Sequence, residues 1–352
     1  MNVLSLFDGI SAGQLALQRA GIVVDNYFAS EIDKYAIKIT QKNFPNTIQL
    51  GNIKNWKEWQ LPKIDMIIGG SPCQGFSSAG KGLNFEDPRS KLFFVFVDIL
   101  KYNRNNNNEI IFLLENVKMK KEWIDIISGN IGVSPVLINS ALLSAQSRKR
   151  LYWTNLNIDQ PNDKNIYLKD IIENNVDEKY FYSEKAISYL DRNKINKRFV
   201  VYQDDKKSSC VTANFQKSLP YNVYVDKEKS NCITSNFSNM ALVNYNKSQG
   251  QVVFYEDKPK QIDTLYPNNA QAGRIYSLDG ESVTLKSDGG GLGAKTGLYE
   301  DSQRIRRLTP IECERLQTFP DNYTEGISNT QRYKSLGNSW TVDVIAHIFS
   351  FI

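Results

Sequence analysis

Histidine and cysteine are scarce in this chain of 352 residues, and their scarcity excludes several kinds of site. The only histidine is His347, so a Ser-His-Asp triad, a histidine zinc site or a histidine proton shuttle would depend on one residue. Cys73, Cys210, Cys232 and Cys313 are far apart and form no Cys-x-x-Cys pair of the kind that binds zinc or works as a redox couple. Acid–base chemistry therefore falls mainly to carboxylates and water, and we expect no metal site.

Long apolar runs are also absent from the chain. No stretch approaches the roughly 18 uninterrupted apolar residues that a membrane span requires. Residues 1–7 have neither the basic lead nor the small-residue cleavage site of a signal peptide. We therefore expect a cytoplasmic protein without membrane contact. The net charge of +5 permits a polyanionic partner but does not establish one.

The alternation of apolar and helical stretches predicts an α/β fold. From residue 1 to about 155, short apolar runs alternate with helical patterns, which is typical of βαβ units around a mostly parallel sheet. The predicted strands are 2–7, 27–30, 64–68, 110–114, 136–139 and 151–154. The predicted helices are 14–20, 33–43, 91–102 and 121–128, and 103–108 is predicted to be a polar loop.

The character of the sequence changes after about residue 160 and changes again near residue 304. The middle stretch is rich in Asn, Lys, Ser and Tyr, with short strand-like pieces and few helical patterns. In the tail, Thr309, Pro310 and Glu312 form the pattern of a capping box with a first-turn proline, so helices are predicted at 309–318 and 341–351. We expect three parts: a first domain at 1–159, a smaller inserted domain at 160–303 and a return segment at 304–352.

Two polar segments come directly after the first two predicted strands, at the edge where open α/β sheets place ligands. Residues 7–13 are predicted to form a glycine-bearing turn. Such a turn either lets a ligand approach the backbone or is only a tight turn between strand and helix. The turn lacks the Gly-x-Gly-x-x-Gly spacing of a dinucleotide site, which argues against a nicotinamide enzyme. Glu31 stands where a carboxylate commonly accepts hydrogen bonds from ribose hydroxyls, although an isolated Glu is usually a surface residue.

Two further segments after predicted strands carry reactive groups. Cys73 lies in a loop of Gly, Ser and Pro that leaves a thiol accessible, and a buried structural cysteine fits such a loop badly. Glu115 follows an apolar strand, where partial desolvation favours the protonated acid; a structural Glu is the alternative. Arg148 and Arg150 are two residues apart and can point the same way, toward an anionic or carbonyl acceptor.

The order of these motifs resembles that of the C5-cytosine-specific DNA methyltransferases of bacteria and phages, with some similarity to the de novo branch of that family. The resemblance covers roughly residues 1–156 and 304–352. It rests on Asp8-Gly9, Ser71-Pro72-Cys73-Gln74, Glu115-Asn116-Val117, Gln146-x-Arg148-x-Arg150, Gln317-Thr318-Phe319-Pro320 and Leu336-Gly337-Asn338-Ser339. It implies a Rossmann-like S-adenosylmethionine-dependent methyltransferase domain, with a smaller and irregular target-recognition domain at 160–303 inserted before the C-terminal helix.

The resemblance also implies roles for individual residues. Cys73 would add to carbon 6 of a flipped-out cytosine, Glu115 would hold or protonate ring N3, Arg150 would bind the carbonyl at position 2 and Arg148 would support the thiol side. The S-adenosylmethionine pocket would be lined by Phe7, Asp8, Gly9, Ile10, Ser11, Glu31, Ile32, Asn52, Ile53, Pro72, Asn338, Ser339 and Trp340. Asn52 replaces the aspartate usual in the family, so we expect a weaker or altered contact with adenine.

The partner that the resemblance implies is double-stranded DNA. Residues 160–303 would read its sequence from the groove, and the loop at 75–89 would close over the extruded base. A cognate restriction endonuclease is a candidate partner, and we expect a monomer in the cytoplasm of a bacterial or phage-infected cell.

Three other functions are compatible with parts of this pattern. A transfer-RNA cytosine-5 methyltransferase would share the motifs, and a catalytically silent DNA-binding relative would share the fold. A zinc-dependent cytosine deaminase fits poorly, because the second cysteine of its signature is missing and His347 has no companion Glu motif.

Overall fold

The structure is a computed structural model that describes residues 1–72, 92–181 and 304–352, with shorter pieces at 259, 261–264, 274–278, 282–285, 287, 296 and 298–301. All of these residues fall within one unit of the fold, which takes in Met1–Lys194 and Asp257–Ile352. Because much of 160–303 lies outside the described residues, the division of the chain at 160 and 303 stays a prediction.

A seven-stranded sheet lies at the centre of the fold. Its strands are β1 (Asn2–Leu6), β2 (Asn26–Ser30), β3 (Ile48–Gln49), β4 (Met66–Gly70), β5 (Ile111–Val117), β6 (Val136–Asn139) and β7 (Lys149–Thr154). Their order across the sheet is β3-β2-β1-β4-β5-β7-β6. Strand β7 runs antiparallel to β5 and β6, and the remaining neighbours are parallel. The α/β fold predicted from the sequence is confirmed.

Helices cover both faces of this sheet. They are α1 (Ala12–Arg19), α2 (Lys34–Asn43), α3 (Leu92–Asn106), α4 (Lys121–Ile131), α5 (Pro310–Leu316), α6 (Asn329–Asn338) and α7 (Val342–Phe349). Successive strand residues point to opposite faces. In β1, Val3 packs in one apolar core with α1 and α7, whereas Leu4 and Leu6 pack in the other core with α3. The apolar runs read from the sequence are therefore strands buried on both sides.

Most elements agree with the prediction within a few residues, but some differ. Helix α3 continues to Asn106, so the predicted loop is wrong for 103–106. The extra turn is held by Asn103, whose Nδ2 donates to the Ile99 carbonyl at 2.8 Å, and by the Asn107 N–H, which donates to the Asn103 carbonyl at 2.8 Å. The two-residue β3, the 3₁₀ helix Ile53–Glu58 and the polar α6 were not predicted, because none of them has a clear apolar period.

A smaller sheet is formed by late segments of the chain. Its strands are β8 (Gln261–Thr264), β9 (Arg274–Tyr276), β10 (Leu298–Asp301) and β11 (Arg304–Arg306), in the order β11-β10-β9-β8. Single β-bridges join this part of the chain to the rest, one between Gln146 and Ser282 and one between Phe181 and Arg306.

The tail of the chain lies against its beginning. Helix α7 packs on α1, and Arg19 Nη1 forms an ion pair with Asp343 Oδ1 at 2.6 Å. The predicted capping box is present at the start of α5: Thr309 Oγ1 accepts from the Glu312 N–H, and Glu312 accepts from the Thr309 N–H. No helix in the described part of the chain is long and apolar enough to cross a membrane.

An ion pair buried inside the return segment holds β11 to α5. The two Arg306 Nη atoms lie 2.8 and 2.9 Å from the Glu312 carboxylate oxygens, and both side chains are fully buried. Glu312 also accepts from the backbone N–H groups of Thr309 at 2.7 Å and Glu173 at 3.0 Å. Loss of the carboxylate would remove this ion pair from a buried guanidinium.

We expect Glu312→Ala to destabilise the fold by about 3–5 kcal/mol, the usual cost of breaking a buried ion pair. Urea unfolding followed by circular dichroism measures the change. The matched control is Glu325→Ala, because Glu325 is exposed and lies 3.9 Å from Lys42; its effect should stay within about 0.5 kcal/mol. Equal unfolding midpoints for the two variants would contradict the prediction.

Candidate functional site

The turn between β1 and α1 has an unusual backbone. Phe7, Gly9 and Ser11 have φ angles of 59°, 62° and 57°, in the left-handed region that L side chains rarely adopt. The turn is held by the Asp8 N–H, which donates to the Ser30 carbonyl at 3.2 Å. Ile10 was also predicted to line the ligand pocket from this turn, and its side chain packs into the core. The turn therefore brings backbone and the partly buried Phe7 side chain to the carboxyl end of β1.

The Asp8 carboxyl accepts three hydrogen bonds from hydroxyl groups. Its Oδ1 accepts from Ser5 Oγ at 2.6 Å and from Tyr27 Oη at 2.8 Å, and its Oδ2 accepts from Ser11 Oγ. Burial raises the pKa of this carboxyl from 3.8 to about 6, the Glu31 charge acts in the same direction, and the three hydroxyls oppose them. Burial and the Asp8 charge also raise the pKa of Tyr27 well above its ordinary value.

Glu31 ties the end of β2 to the same turn. Its Oε2 accepts from the Gly9 N–H at 2.8 Å, and its Oε1 accepts from the N–H groups of Ile32 and Asp33 at 2.7 and 2.8 Å. The Ile32 side chain beside it is 72% exposed. An acidic group and an exposed apolar surface therefore lie next to each other at the ligand edge of the sheet.

Asn52 and Ile53 stand at the start of the 3₁₀ helix that follows β3. Asn52 Oδ1 accepts from the Lys54 N–H at 3.0 Å and so caps this helix, while Ile53 is buried. Ser30 Oγ donates to the Gly51 carbonyl at 2.8 Å, which fastens this turn to the end of β2. Capping occupies the amide oxygen of Asn52, and a role for this side chain at a ligand stays a prediction.

Glu115, Arg150 and Trp340 meet beside the end of β4. Arg150 Nε lies 3.0 Å from Glu115 Oε1, and Trp340 Nε1 donates to Glu115 Oε2 at 3.2 Å. In the sheet Glu115 is directly paired with Gly70, and only a glycine leaves space there for the indole and the carboxylate. The Arg150 guanidinium and the Glu115 carboxylate form an ion pair. The sequence pattern predicted partial desolvation of Glu115 but not this ion pair.

Asn116 holds Ser71, two residues before Cys73, by hydrogen bonds. Asn116 Nδ2 donates to Ser71 Oγ at 3.0 Å and to the Ser71 carbonyl at 3.3 Å, and both residues are buried. Pro72 follows with its side chain half-buried. Cys73 and the loop at 75–89 lie outside the described residues, so their predicted roles are untested.

Arg148 is buried among backbone carbonyls of the return segment and the smaller sheet. Its Nη2 donates to the carbonyls of Ser339 at 3.0 Å and Gly337 at 3.3 Å, and its Nη1 donates to the Leu285 carbonyl at 3.3 Å. These contacts hold the segment that carries Trp340. A contact between Arg148 and the thiol of Cys73 stays a prediction. In the same segment, Asn338 is exposed.

Two buried glutamines, which have no role in the predicted site, complete this region. Gln146 Oε1 accepts from the Leu285 N–H at 2.9 Å, and its Nε2 donates to the side chain of Gln317 at 3.2 Å. Gln317 Nε2 donates to the Leu336 carbonyl at 2.8 Å. Both residues stand in the quoted motifs, but a polar residue in a motif does not reveal by itself whether it contacts a ligand or the backbone.

Comparisons with known proteins agree on one family. The family model described as C-5 cytosine-specific DNA methylase matches residues 1–352. The orphan methyltransferase M.SPRI of Bacillus phage SPR is 30% identical, over 99% of this chain and 96% of its own length. The type II methyltransferase M.HhaI of Haemophilus parahaemolyticus is 27% identical, over 99% and 93%. In fold, the chain is similar to the S. pombe Dnmt2 methyltransferase, with a TM-score of 0.60 at 16% identity over 99% and 97% of the chains.

We expect Gly70→Ala to separate Trp340 from Glu115. A Cβ atom at this position would lie 2.9 Å from Trp340 Nε1 and 3.0 Å from Glu115 Oε2, so one of these side chains must move. The Trp340 indole N–H signal in a ¹H–¹⁵N spectrum should shift, and the free energy of unfolding should fall by about 1–2 kcal/mol, in the range for overpacking.

Gly129→Ala is the control for this substitution, because a Cβ atom there meets open space in helix α4. It should leave the Trp340 signal in place and keep or slightly raise stability, since Ala favours a helix over Gly by up to about 1 kcal/mol. An unchanged Trp340 signal in Gly70→Ala would show that the indole does not depend on the missing side chain.

Proposed function

Because the chain belongs to the C-5 cytosine-specific DNA methylase family, we propose that it transfers the methyl group of S-adenosylmethionine to carbon 5 of a flipped-out cytosine in a short DNA sequence. In this proposal Cys73 is the nucleophile, and Glu115 and Arg150 hold the base. Glu115 and Arg150 lie next to each other near the carboxyl ends of β4 and β5, which is where this reaction needs them.

The observation that carries the proposal is the pairing of Glu115 with Arg150 at 3.0 Å beside Gly70. Cytosine presents N3 and O2 on adjacent ring positions, and a carboxyl next to a guanidinium matches this edge. Glu115 would hold or protonate N3, and Arg150 would donate to O2. Cys73 directly follows Pro72 in the sequence and is two residues beyond Ser71, which Asn116 holds in place.

The chemistry requires these groups because carbon 5 of cytosine is a poor nucleophile. The Cys73 thiolate would form a bond to carbon 6, and the electron pair of the 5,6 double bond would move toward carbon 5 while Glu115 stabilises N3. When bound, S-adenosylmethionine supplies an electrophilic methyl group. Loss of the carbon 5 proton to a base would then restore the double bond and expel the Cys73 thiolate.

The residues at the first turn fit an S-adenosylmethionine ligand by their chemistry. Glu31 stands where a carboxylate suits ribose hydroxyls, and the exposed Ile32 offers a flat apolar ring a surface to pack on. Asp8 supplies negative charge for a cationic ligand. The buried Ser339 Oγ, in the segment next to Trp340, has no hydrogen-bond partner among the described residues and is available to a ligand.

The DNA must present an extruded base, because a cytosine stacked in a duplex is out of reach of these side chains. Flipping costs a few kcal/mol, which contacts with the flipped base and the backbone would offset. We assign sequence reading to residues 160–303 and closure over the base to the loop at 75–89. A cognate restriction endonuclease and a monomeric state in a bacterial or phage-infected cytoplasm stay predictions; the relatives carry both orphan and type II names.

We expect Cys73→Ala to abolish methyl transfer, with a loss of at least about 10³-fold, as for other nucleophile deletions. The wild-type protein should also form a denaturation-resistant adduct on DNA containing 5-fluorocytosine, visible as a shifted band on a denaturing gel. The adduct persists because a base cannot remove the fluorine at carbon 5 as it removes a proton, so the Cys73 thiolate is not expelled. Cys313→Ala is the matched control, since Cys313 is a buried core residue. An adduct formed equally well by Cys73→Ala would rule out this nucleophile.

Substrate class is tested by methyl transfer from labelled donor to duplex DNA and to transfer RNA. We expect incorporation into DNA at a discrete sequence, at least about 100-fold above transfer RNA, because correct recognition is worth several kcal/mol. Bisulfite sequencing of the product then gives the target. Preferential labelling of transfer RNA would favour the alternative substrate, and no labelling of either would favour a catalytically silent relative.

A further inference from the structure

The partly buried Asp8 carboxyl has partners of an unusual kind for an acidic group. Within the described part of the chain its hydrogen-bond donors are the hydroxyls of Ser5, Ser11 and Tyr27, and none of the ion pairs found there includes it. Neutral donors stabilise a carboxylate less than a guanidinium or ammonium does. Its negative charge is therefore solvated by the protein but not neutralised.

Among the described residues, the other titratable groups that face Asp8 do not supply a positive charge. Tyr27 comes from β2, Glu31 follows β2, and Tyr323 comes from the return segment, where its hydroxyl donates to the Ile10 carbonyl at 2.7 Å. Glu31 adds negative charge. Burial and the Asp8 charge raise the pKa of Tyr323, so both tyrosines stay neutral in the physiological range. The side chains at the first turn thus carry negative charge on Asp8 and Glu31.

We propose that Asp8 is the counter-charge for the sulfonium of the methyl donor and makes this site prefer the donor over its demethylated product. The inference rests on the proposed function. S-adenosylmethionine and S-adenosylhomocysteine share the adenosine, the ammonium and the carboxylate, and differ by one methyl group and one positive charge. A partly buried carboxylate acts on that charge with less screening than one in bulk water, so it discriminates between two molecules of nearly the same shape.

The preference has a direct use in the reaction cycle. Each turnover converts a cationic ligand into a neutral one in the same pocket. The attraction to Asp8 is present before transfer and absent after it, so the site holds the donor and releases the product. Contacts with the shared adenosine cannot give this difference because they are the same in both molecules.

Reciprocity between binding and protonation sets the expected pH dependence. If the Asp8 charge favours the donor about tenfold, donor binding lowers the pKa of Asp8 by about one unit, which corresponds to about 1.4 kcal/mol. Starting from a pKa of about 6 in the free protein, donor affinity is full near neutral pH. It falls about fivefold by about pH 5, because protons then compete for Asp8. Affinity for the neutral product stays flat over the same range.

The test is isothermal titration of the full-length protein with S-adenosylmethionine and, separately, S-adenosylhomocysteine. We expect Asp8→Asn to weaken donor binding about tenfold and product binding less than about twofold, and to remove the pH dependence of donor binding. Tyr27→Phe, measured at about pH 8, is the matched control, because it removes one hydroxyl donor while the Asp8 carboxylate stays charged. At that pH it should change both affinities by the same factor. Equal losses for both ligands in Asp8→Asn would show a structural role only and overturn the inference.

A measurement on the wild-type protein does not depend on whether Asp8→Asn folds. Titrations at about pH 5.5 in buffers of different ionisation enthalpy give the protons exchanged on binding. Donor binding should release about half a proton and product binding close to none. In Glu31→Gln the release of protons on donor binding should move to lower pH, because Glu31 raises the pKa of Asp8 and its loss lowers that pKa. Equal proton release with both ligands would overturn the inference and leave the proposed function standing, whereas a wild-type protein that binds neither ligand would overturn both.

Discussion

The candidate site depends on the attachment of the return segment to the sheet through buried polar side chains. Arg148 donates to the carbonyls of Gly337 and Ser339, and Gln146 and Gln317 extend the same network to the end of α5 and to α6. Each of these groups is removed from water, so a lost partner costs the full desolvation of the one left behind. The network therefore fixes where residue 340 emerges, more firmly than apolar packing alone would.

The consequence of this attachment appears at Glu115. Its carboxylate lies between Arg150, which comes from the neighbouring strand β7, and Trp340, which comes from a segment more than 200 positions later in the chain. Both partners are groups that donate hydrogen bonds, so Glu115 has a fixed orientation. A side chain held in this way presents its remaining lone pairs to a ligand without first losing conformational freedom.

The carboxylates that follow β1 and β2, Asp8 and Glu31, have partners of a different kind from those of Glu115. The Glu31 charge raises the pKa of Asp8, and both carboxylates accept from neutral donors, hydroxyls in the case of Asp8 and backbone N–H groups in the case of Glu31. The left-handed residues Phe7 and Ser11 are part of the same turn. Strain and uncompensated charge concentrated in one short segment are typical of positions selected for function instead of stability.

Local patterns predicted most of the elements of this fold. The apolar runs predicted every strand of the large sheet except the two-residue β3, because strands buried on both faces have few polar residues. The capping box at Thr309 and Glu312 was readable because its hydrogen bonds are local. The extension of α3 through Asn103 was missed, because an asparagine-rich stretch has low helix propensity and is held by contacts that propensity does not contain.

By itself the sequence determined the fold class, the family, and the positions of Cys73, Glu115 and Arg150, since each stands in a short motif at the end of a strand. Only the tertiary structure decided which groups meet. The Glu115–Arg150 pair, the reach of Trp340, the carbonyl contacts of Arg148 and the hydroxyl cage around Asp8 all join residues from different elements. Such contacts depend on the register and packing of distant segments, which no local pattern encodes.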